Sequence, residues 1–137
     1  MINIAAIVPA YNEEQSIKNV ILSINAIKSV YFKIKVIVIN DCSKDNTIGI
    51  INSLDCISLN LPINLGIGGA VQTGFKYAVE HDFDFAIQVD GDGQHPENEI
   101  EKMYLSFREN TCDVVIGSRF ILNNGFRSTL LLSLIHI

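Results

Sequence analysis

Four short runs carry apolar, mostly β-branched residues on successive positions: "IAAIV" (4–8), "KVIVI" (35–39), "FAIQV" (85–89) and "DVVIG" (113–117). Continuous runs of this kind are expected of strands buried on both faces of a parallel sheet. "CISLNL" (56–61) is a weaker strand candidate. Between the runs the apolar positions change to a helical period. Ile17, Val20, Ile21, Ile24 and Ile27 fall on one stripe of 14–28, and 45–53, 69–81 and 97–109 behave in the same way. "SKDN" sets Ser43 and Asp45 ahead of the second helix. Pro96, Glu97 and Glu99 suit the first turn and positive end of the fourth. Strand and helix alternate, and parallel crossovers are right-handed, so the expected fold is an α/β domain: an open, mainly parallel sheet with helices on both faces.

This order places every polar or glycine-rich cluster at the carboxyl end of a strand. "PAYNEE" follows the first, "NDCSKDNT" the second, "NLGIGGAVQTG" the weaker third, "DGDGQHP" the fourth and "SRF" the fifth. In open α/β sheets ligands bind in the crevice beyond those ends. Five clusters far apart in sequence are therefore expected to converge on one cleft.

Composition narrows what the cleft can serve. The 137 residues make one domain or part of one, 48% apolar and 18% charged with net charge −5, which excludes a basic nucleic-acid binder. Cys42, Cys56 and Cys112 are odd in number and widely spaced, indicating neither a disulfide framework nor a zinc site and fitting a reducing cytoplasm. Met1 leads into "INIAAIVPA" without a basic flank, so no signal peptide or spanning segment is expected. "STLLLSLIHI" (128–137) has no polar face. It is read as a chain that stops early, the alternative being a last buried strand or helix.

Asp90, Asp92 and Gln94 alternate, so in extended backbone their side chains leave one face. Two carboxylates about 5 Å apart repel by roughly 3 kcal/mol at an effective dielectric near 20. Mg²⁺ or Mn²⁺ would relieve that repulsion, and such ions are commonly shared between carboxylates and phosphate oxygens. A turn between strand and helix, where Asp and Gly are common, is the simpler alternative. A calcium loop fits at Asp90, Asp92, Gln94 and Glu101 but fails at His95, where glycine is required, and at Pro96. In "NLGIGGAVQTG" neither dinucleotide nor Walker spacing is present. What remains is a helix start near residue 69, setting Gly69 where an anion can meet an amino terminus, or ordinary turn glycines. Asp41 could accept hydrogen bonds from a base or ribose, or Asp41 or Ser43 could cap the next helix. Asn12, Glu13 and Glu14 share that ambiguity at the first helix, and Arg119 could neutralise a diphosphate or form a surface ion pair.

Taken together, "IVPAYNEE" (7–14), "VIVINDCSKDNT" (36–47), "NLGIGGAVQTGFKYA" (64–78), "QVDGDGQHPEN" (88–98) and "VVIGSRF" (114–120) resemble the family 2 glycosyltransferases of the GT-A fold. The likeness is strongest to the branch acting on dolichyl and polyprenyl phosphates. It covers roughly 1–120 as a nucleotide-sugar-binding half, leaving 121–137 as the start of an acceptor region or a truncated tail. The resemblance implies that Pro9, Ala10, Tyr11 and Glu13 contact the nucleotide and that Asp41 meets the base. It further implies that Asp90, Asp92 and Gln94 hold Mg²⁺ or Mn²⁺, with Asp92 the principal ligand, and that Arg119 lies near the sugar phosphate and acceptor. Cys42, Asn46 and Ile67 depart from the family's usual residues. The implied activity is inverting transfer from a UDP- or GDP-linked sugar to a polyprenyl phosphate or saccharide, in the cytoplasm at the inner membrane face if the acceptor is a lipid. A phosphate acceptor is already anionic and requires no general base, whereas a hydroxyl does. A chain ending at Ile137 is expected to bind donor weakly and turn over poorly. The alternatives are a non-catalytic nucleotide-binding module of the same fold, and a nucleotidyltransferase. The last is disfavoured because "PAYNEE" is not a basic, glycine-rich loop.

Overall fold

The structure is a computed structural model and describes residues 1–90, 98–109 and 113–115. The chain divides into a unit of Met1–Glu101 and a second of Lys102–Ile137. In the first, β1 (Ile2–Ala10), β2 (Phe32–Asn40), β3 (Ile57–Asn60) and β4 (Phe85–Gln88) form one sheet in the order β3-β2-β1-β4. All three pairings are parallel, Ile2 opposite Phe32, Ile37 opposite Ile57 and Ile4 opposite Phe85.

The expected buried runs sit at the middle of this sheet. Ala5, Ala6, Ile7 and Val8 of β1 and Val36, Ile37, Val38 and Ile39 of β2 are fully buried, as strands covered on both faces must be. β3 is half-exposed at the edge, in keeping with its weaker apolar pattern.

Between the strands run α1 (Ile17–Ala26), α2 (Thr47–Ile51) and α3 (Gly66–Glu80). The chain steps from β1 to β2 to β3 in one direction across the sheet, then returns past β1 to β4. With right-handed crossovers this sets α1 and α2 on one face and α3 on the other. Packing follows: Ala70 and Ala78 of α3 meet Ala5, Ile7, Ile37 and Ile39, one set of alternate strand positions. α1 turns Ile17, Val20, Ile21 and Ile24 inward. Gly74 is where α3 comes closest to the sheet. A Cβ there would stand 2.9 Å from Ile39 Cδ1 and nearer still to Ile7 Cγ2.

Three boundaries depart from the periodicity. α1 starts at Ile17 because residues 13–16 form a turn, with the Ile17 amide donating to Glu13 O at 2.9 Å. α2 has five residues where 45–53 was expected, since the polar residues ahead of it bond to another loop. α3 begins at Gly66 rather than near 69, with Gly66 at φ 74°, in the left-handed region that glycine tolerates.

α4 (Asn98–Glu109) carries Glu99 and Glu101 in its first turn and Arg108 in its last, each sign opposite to the helix dipole it meets. Of the expected fifth strand, 113–115 are outside any strand and 116–117 lie outside the described residues.

Candidate functional site

The carboxyl ends of β1, β2 and β4 lie side by side. β1 ends at Ala10 opposite Asn40 of β2, and its other neighbour β4 is aligned through Ile7 and Gln88. Beyond Gln88 the chain stays against β1, with the Val89 amide donating to Ile7 O at 2.9 Å. The order reverses between β1 and β4, the switch point where a crevice opens in sheets of this class. Pro9 to Tyr11 and Asp90 flank it, and Asp41 leaves the next strand over. Two strand spacings, about 10 Å, separate the ends that carry Asp41 and Asp90.

Asp41 is 3% exposed and is held by its neighbours on both sides. Its amide donates to Ala10 O at 2.9 Å, and its Oδ1 accepts the Leu65 amide at 2.7 Å. Asn64 Nδ2 donates to Asp41 O at 3.3 Å, and Asn64 Oδ1 accepts the Gly66 amide at 3.0 Å. A carboxylate from the end of β2 and an amide from the preceding loop thus take up the first backbone donors of α3, which explains its early start. The sequence offered Asp41 as a cap for the next helix, α2; its Oδ1 instead serves the start of α3, 24 residues away. Asn40 is also buried; its Nδ2 donates to Asn60 Oδ1 at 3.0 Å and its Oδ1 accepts the Ser43 amide at 3.1 Å.

The loops after β1 and β2 are interlocked. Three consecutive amides of the first are accepted by side chains of the second: Asn12 by Ser43 Oγ at 3.0 Å, Glu13 by Thr47 Oγ1 at 2.8 Å and Glu14 by Asp45 Oδ2 at 3.2 Å. The second loop is held in return. The Lys44 amide donates to Asn12 Oδ1 at 2.8 Å and the Asn46 amide to Glu14 Oε2 at 2.9 Å. Asn12 and Cys42, at φ 55° and 62°, sit in the left-handed region, and Asn12 is held there by its bonds to Ser43 and Lys44. Asp45 Oδ1 also accepts the Thr47 amide at 3.0 Å and the Thr47 hydroxyl. Desolvation pushes the Asp45 carboxyl up, but the bonds from Thr47 and Glu14 outweigh it and hold the group below its usual 3.8.

Of the residues singled out from sequence, Pro9 is half-buried, Ala10 is buried at the end of β1, and Tyr11 is 45% exposed beside them. Glu13 keeps Oε2 on the Ser16 hydroxyl at 2.6 Å, inside its own turn. Gly69 lies in the first turn of α3, where a Cβ would press on Leu65 Cβ, while one on Gly68 would meet nothing within 4 Å. Asp90 is half-buried, and its Oδ1 accepts Gln88 Nε2 at 3.1 Å. Asp92, Gln94 and Arg119 lie outside the described residues, as do His95 and Cys112. Among the described residues no cluster of three or more His, Cys, Asp or Glu side chains is placed to hold a metal ion, and no helix is long and apolar enough to cross a membrane. The sequence reading passed over Thr47 and Asn64. Their partners are 34 and 23 residues away, so no local spacing announces them.

Comparison with known proteins brings this geometry together with its relatives. A family described as glycosyl transferase family 2 matches residues 5–134. The UDP-N-acetylglucosamine–dolichyl-phosphate N-acetylglucosaminyltransferase of Methanococcus voltae is 35% identical over 130 residues, covering 82% of this chain and 50% of the relative. The undecaprenyl-phosphate mannosyltransferase of Micrococcus luteus is 28% identical over 121 residues, covering 85% and 48%. Among solved structures, S. aureus TarS 1–349 in complex with UDP-GlcNAc superposes with a TM-score of 0.61 at 26% identity, over 80% of this chain and 32% of that one. The chain spans about half the length of the curated relatives it matches.

Proposed function

The chain belongs to glycosyl transferase family 2, with a sheet of the GT-A type, and on that premise we propose that it moves a sugar, with inversion, from a nucleoside diphosphate to a polyprenyl phosphate. The observation that supports this reading is the convergence of Pro9–Glu13, Asp41 and Asp90 at the carboxyl ends of three adjacent strands. The relatives' own names extend it: one acts on dolichyl phosphate and takes UDP-N-acetylglucosamine, and another acts on undecaprenyl phosphate.

In this reading Asp41 and the β1 loop receive the nucleoside, and the diphosphate lies between the start of α3 and Asp90. The ends of β1, β2 and β4 carry Glu13, Glu14, Asp41, Asp45 and Asp90, a surface that repels a bare diphosphate. A divalent cation answers that repulsion. Asp90 stands half-buried at the expected edge of the crevice, and two carboxylates with an amide oxygen are the hard oxygen donors that Mg²⁺ or Mn²⁺ prefers. Asp90, Asp92 and Gln94 would hold the ion, which supplies charge stabilisation as the leaving phosphate becomes anionic. Arg119 would share that task. Bond changes at the anomeric carbon are simple: the bond to the donor phosphate breaks, and a lipid-phosphate oxygen, already anionic, forms the new one with no proton to remove.

The test is calorimetric titration of UDP, UDP-sugars and GDP-mannose with and without Mn²⁺, on the wild-type chain and on Asp92→Asn, followed by a transfer assay with a polyprenyl phosphate. Expected are weak, Mn²⁺-dependent binding that Asp92→Asn abolishes, and slow formation of lipid-linked sugar. Binding of equal strength in Asp92→Asn would overturn the metal assignment. Metal-dependent binding without transfer to any acceptor would favour a non-catalytic nucleotide-binding module.

A further inference from the structure

Thr47 is fully buried, yet it lies on neither the expected nucleotide loop nor the metal segment. A buried hydroxyl is retained at a cost unless its hydrogen-bonding capacity is used. Here both sides are used and point to different loops: Oγ1 accepts the Glu13 amide from the β1 loop and donates to Asp45 Oδ1 in its own loop. The same Asp45 carboxylate accepts the Glu14 amide through its other oxygen. Asn46, between them, donates its amide to Glu14 Oε2. The hydroxyl supplies the one partly buried bond among those joining 12–14 to 43–47, the others being exposed, and by donating to Asp45 it steadies the carboxylate that makes the next. Through Asp41 and Leu65 the same β2 loop also reaches the start of α3.

We propose that Thr47 is a positioning residue for the donor nucleotide: without touching the ligand, its hydroxyl locks the β1 and β2 loops into one unit, so that Tyr11 and Asp41 are presented together. This rests on the donor-binding reading above and adds to it a residue and a mode of action. Residues 11–14 and 41–46 lie in neither strand nor helix, and each segment has one residue, Asn12 or Cys42, in the left-handed region, so neither conformation is enforced locally. Asp41 is fixed by its own bonds to Ala10 O and the Leu65 amide, and the tie between the loops sets where Tyr11 and the rest of the β1 loop stand against it. Preorganisation of this kind appears in affinity, because an unlocked pair must be ordered when the ligand binds.

The experiment compares Thr47→Val, which keeps the shape and removes the hydroxyl, with Thr47→Ser, which keeps the hydroxyl. Asp45→Asn serves as a second route to the same bonds. Each is measured at a temperature where melting curves show it fully folded. Amide hydrogen exchange followed by NMR and calorimetric affinity for UDP and GDP with Mn²⁺ are the two readouts. Thr47→Val is expected to speed exchange at Asn12, Glu13, Glu14, Lys44 and Asn46 together while Val36–Ile39 keep their protection, and to weaken nucleotide binding by at least about tenfold. Thr47→Ser is expected to stay within about threefold of wild type in both. Faster exchange confined to Glu13, or loosened loops with wild-type affinity, would overturn the proposal. If the wild-type chain bound neither nucleotide, the functional reading would fail and the donor part of this proposal with it, whereas the exchange pattern would still decide whether Thr47 couples the loops.

Discussion

Removing the carboxylate of Asp41 should shift stability and ligand affinity by separable amounts. Its Oδ1 accepts the Leu65 amide at 2.7 Å from a position only 3% exposed, at the amino end of α3. A hydrogen bond to a charged acceptor contributes about 1.5–3 kcal/mol, and an anion at a helix amino terminus about 0.3–1 kcal/mol. Asp41→Ala loses both and leaves an amide without its acceptor, a cost of about 2–4 kcal/mol. Asp41→Asn retains a carbonyl oxygen for the bond and loses only the charge, costing about 1 kcal/mol. For a domain of this size, roughly 3–4 °C per kcal/mol, melting should fall by about 6–16 °C in the first and about 3–4 °C in the second. Urea denaturation gives the free energies, with an unchanged slope showing that the unfolded state is not what moved. Alanine and asparagine variants of equal stability, or both at the wild-type value, would refute the capping argument. Nucleotide titration of Asp41→Asn near its small stability cost then isolates contact with the donor base: a loss of affinity supports it, and wild-type affinity removes it.

Other expected outcomes follow from single contacts. Gly74→Ala gains up to about 1 kcal/mol of helix propensity but forces a methyl against Ile7 and Ile39, an overpacking cost of about 1–3 kcal/mol. A net loss of about 1 kcal/mol should appear in thermal melts, and a stabilised variant would show that α3 lifts from the sheet freely. Asp45 titrates below its usual 3.8 in the folded state, so its contribution is present above that value and is lost as pH falls through the lower, folded one. Exchange at the Glu14 and Thr47 amides should accelerate over that acid range, and Asp45→Asn should remove the dependence. Cys56 has its thiol raised above 9.0 by burial and by the charge of Asp55, with Lys35 opposing. Alkylation by iodoacetamide, read by peptide mass spectrometry, should therefore reach half its maximal rate above pH 9.0, and Lys35→Ala should move it higher. Fast labelling at pH 7 would contradict this.

The frame of the molecule was legible because its cause is local. Val36–Ile39 are β-branched and buried on both faces, and such a run has few places to go except the middle of a parallel sheet. The same reasoning put the polar segments after β1, β2 and β4 at one end. α2 was overestimated because periodicity counts apolar spacing and cannot register that Asp45 and Asn46 are engaged with Glu14. The start of α3 was misplaced by three residues because its cap comes from Asp41, across the sheet. Asp41 had been weighed as a ligand group or a cap for the next helix. A side chain bonded to an amide 24 positions downstream is a property of the fold, not of spacing. Asp92, Gln94 and Arg119, on which the metal and diphosphate assignments depend, lie outside the described residues.

The reciprocal bonding of residues 12–14 with 43–47 constrains how such a protein can diversify. An insertion or deletion in one segment misaligns donors against acceptors in the other, so neither can change length alone. Exchange of nucleotide preference between relatives by grafting would have to carry both segments as a matched pair, while the exposed Ile63, outside them, remains free to vary on its own.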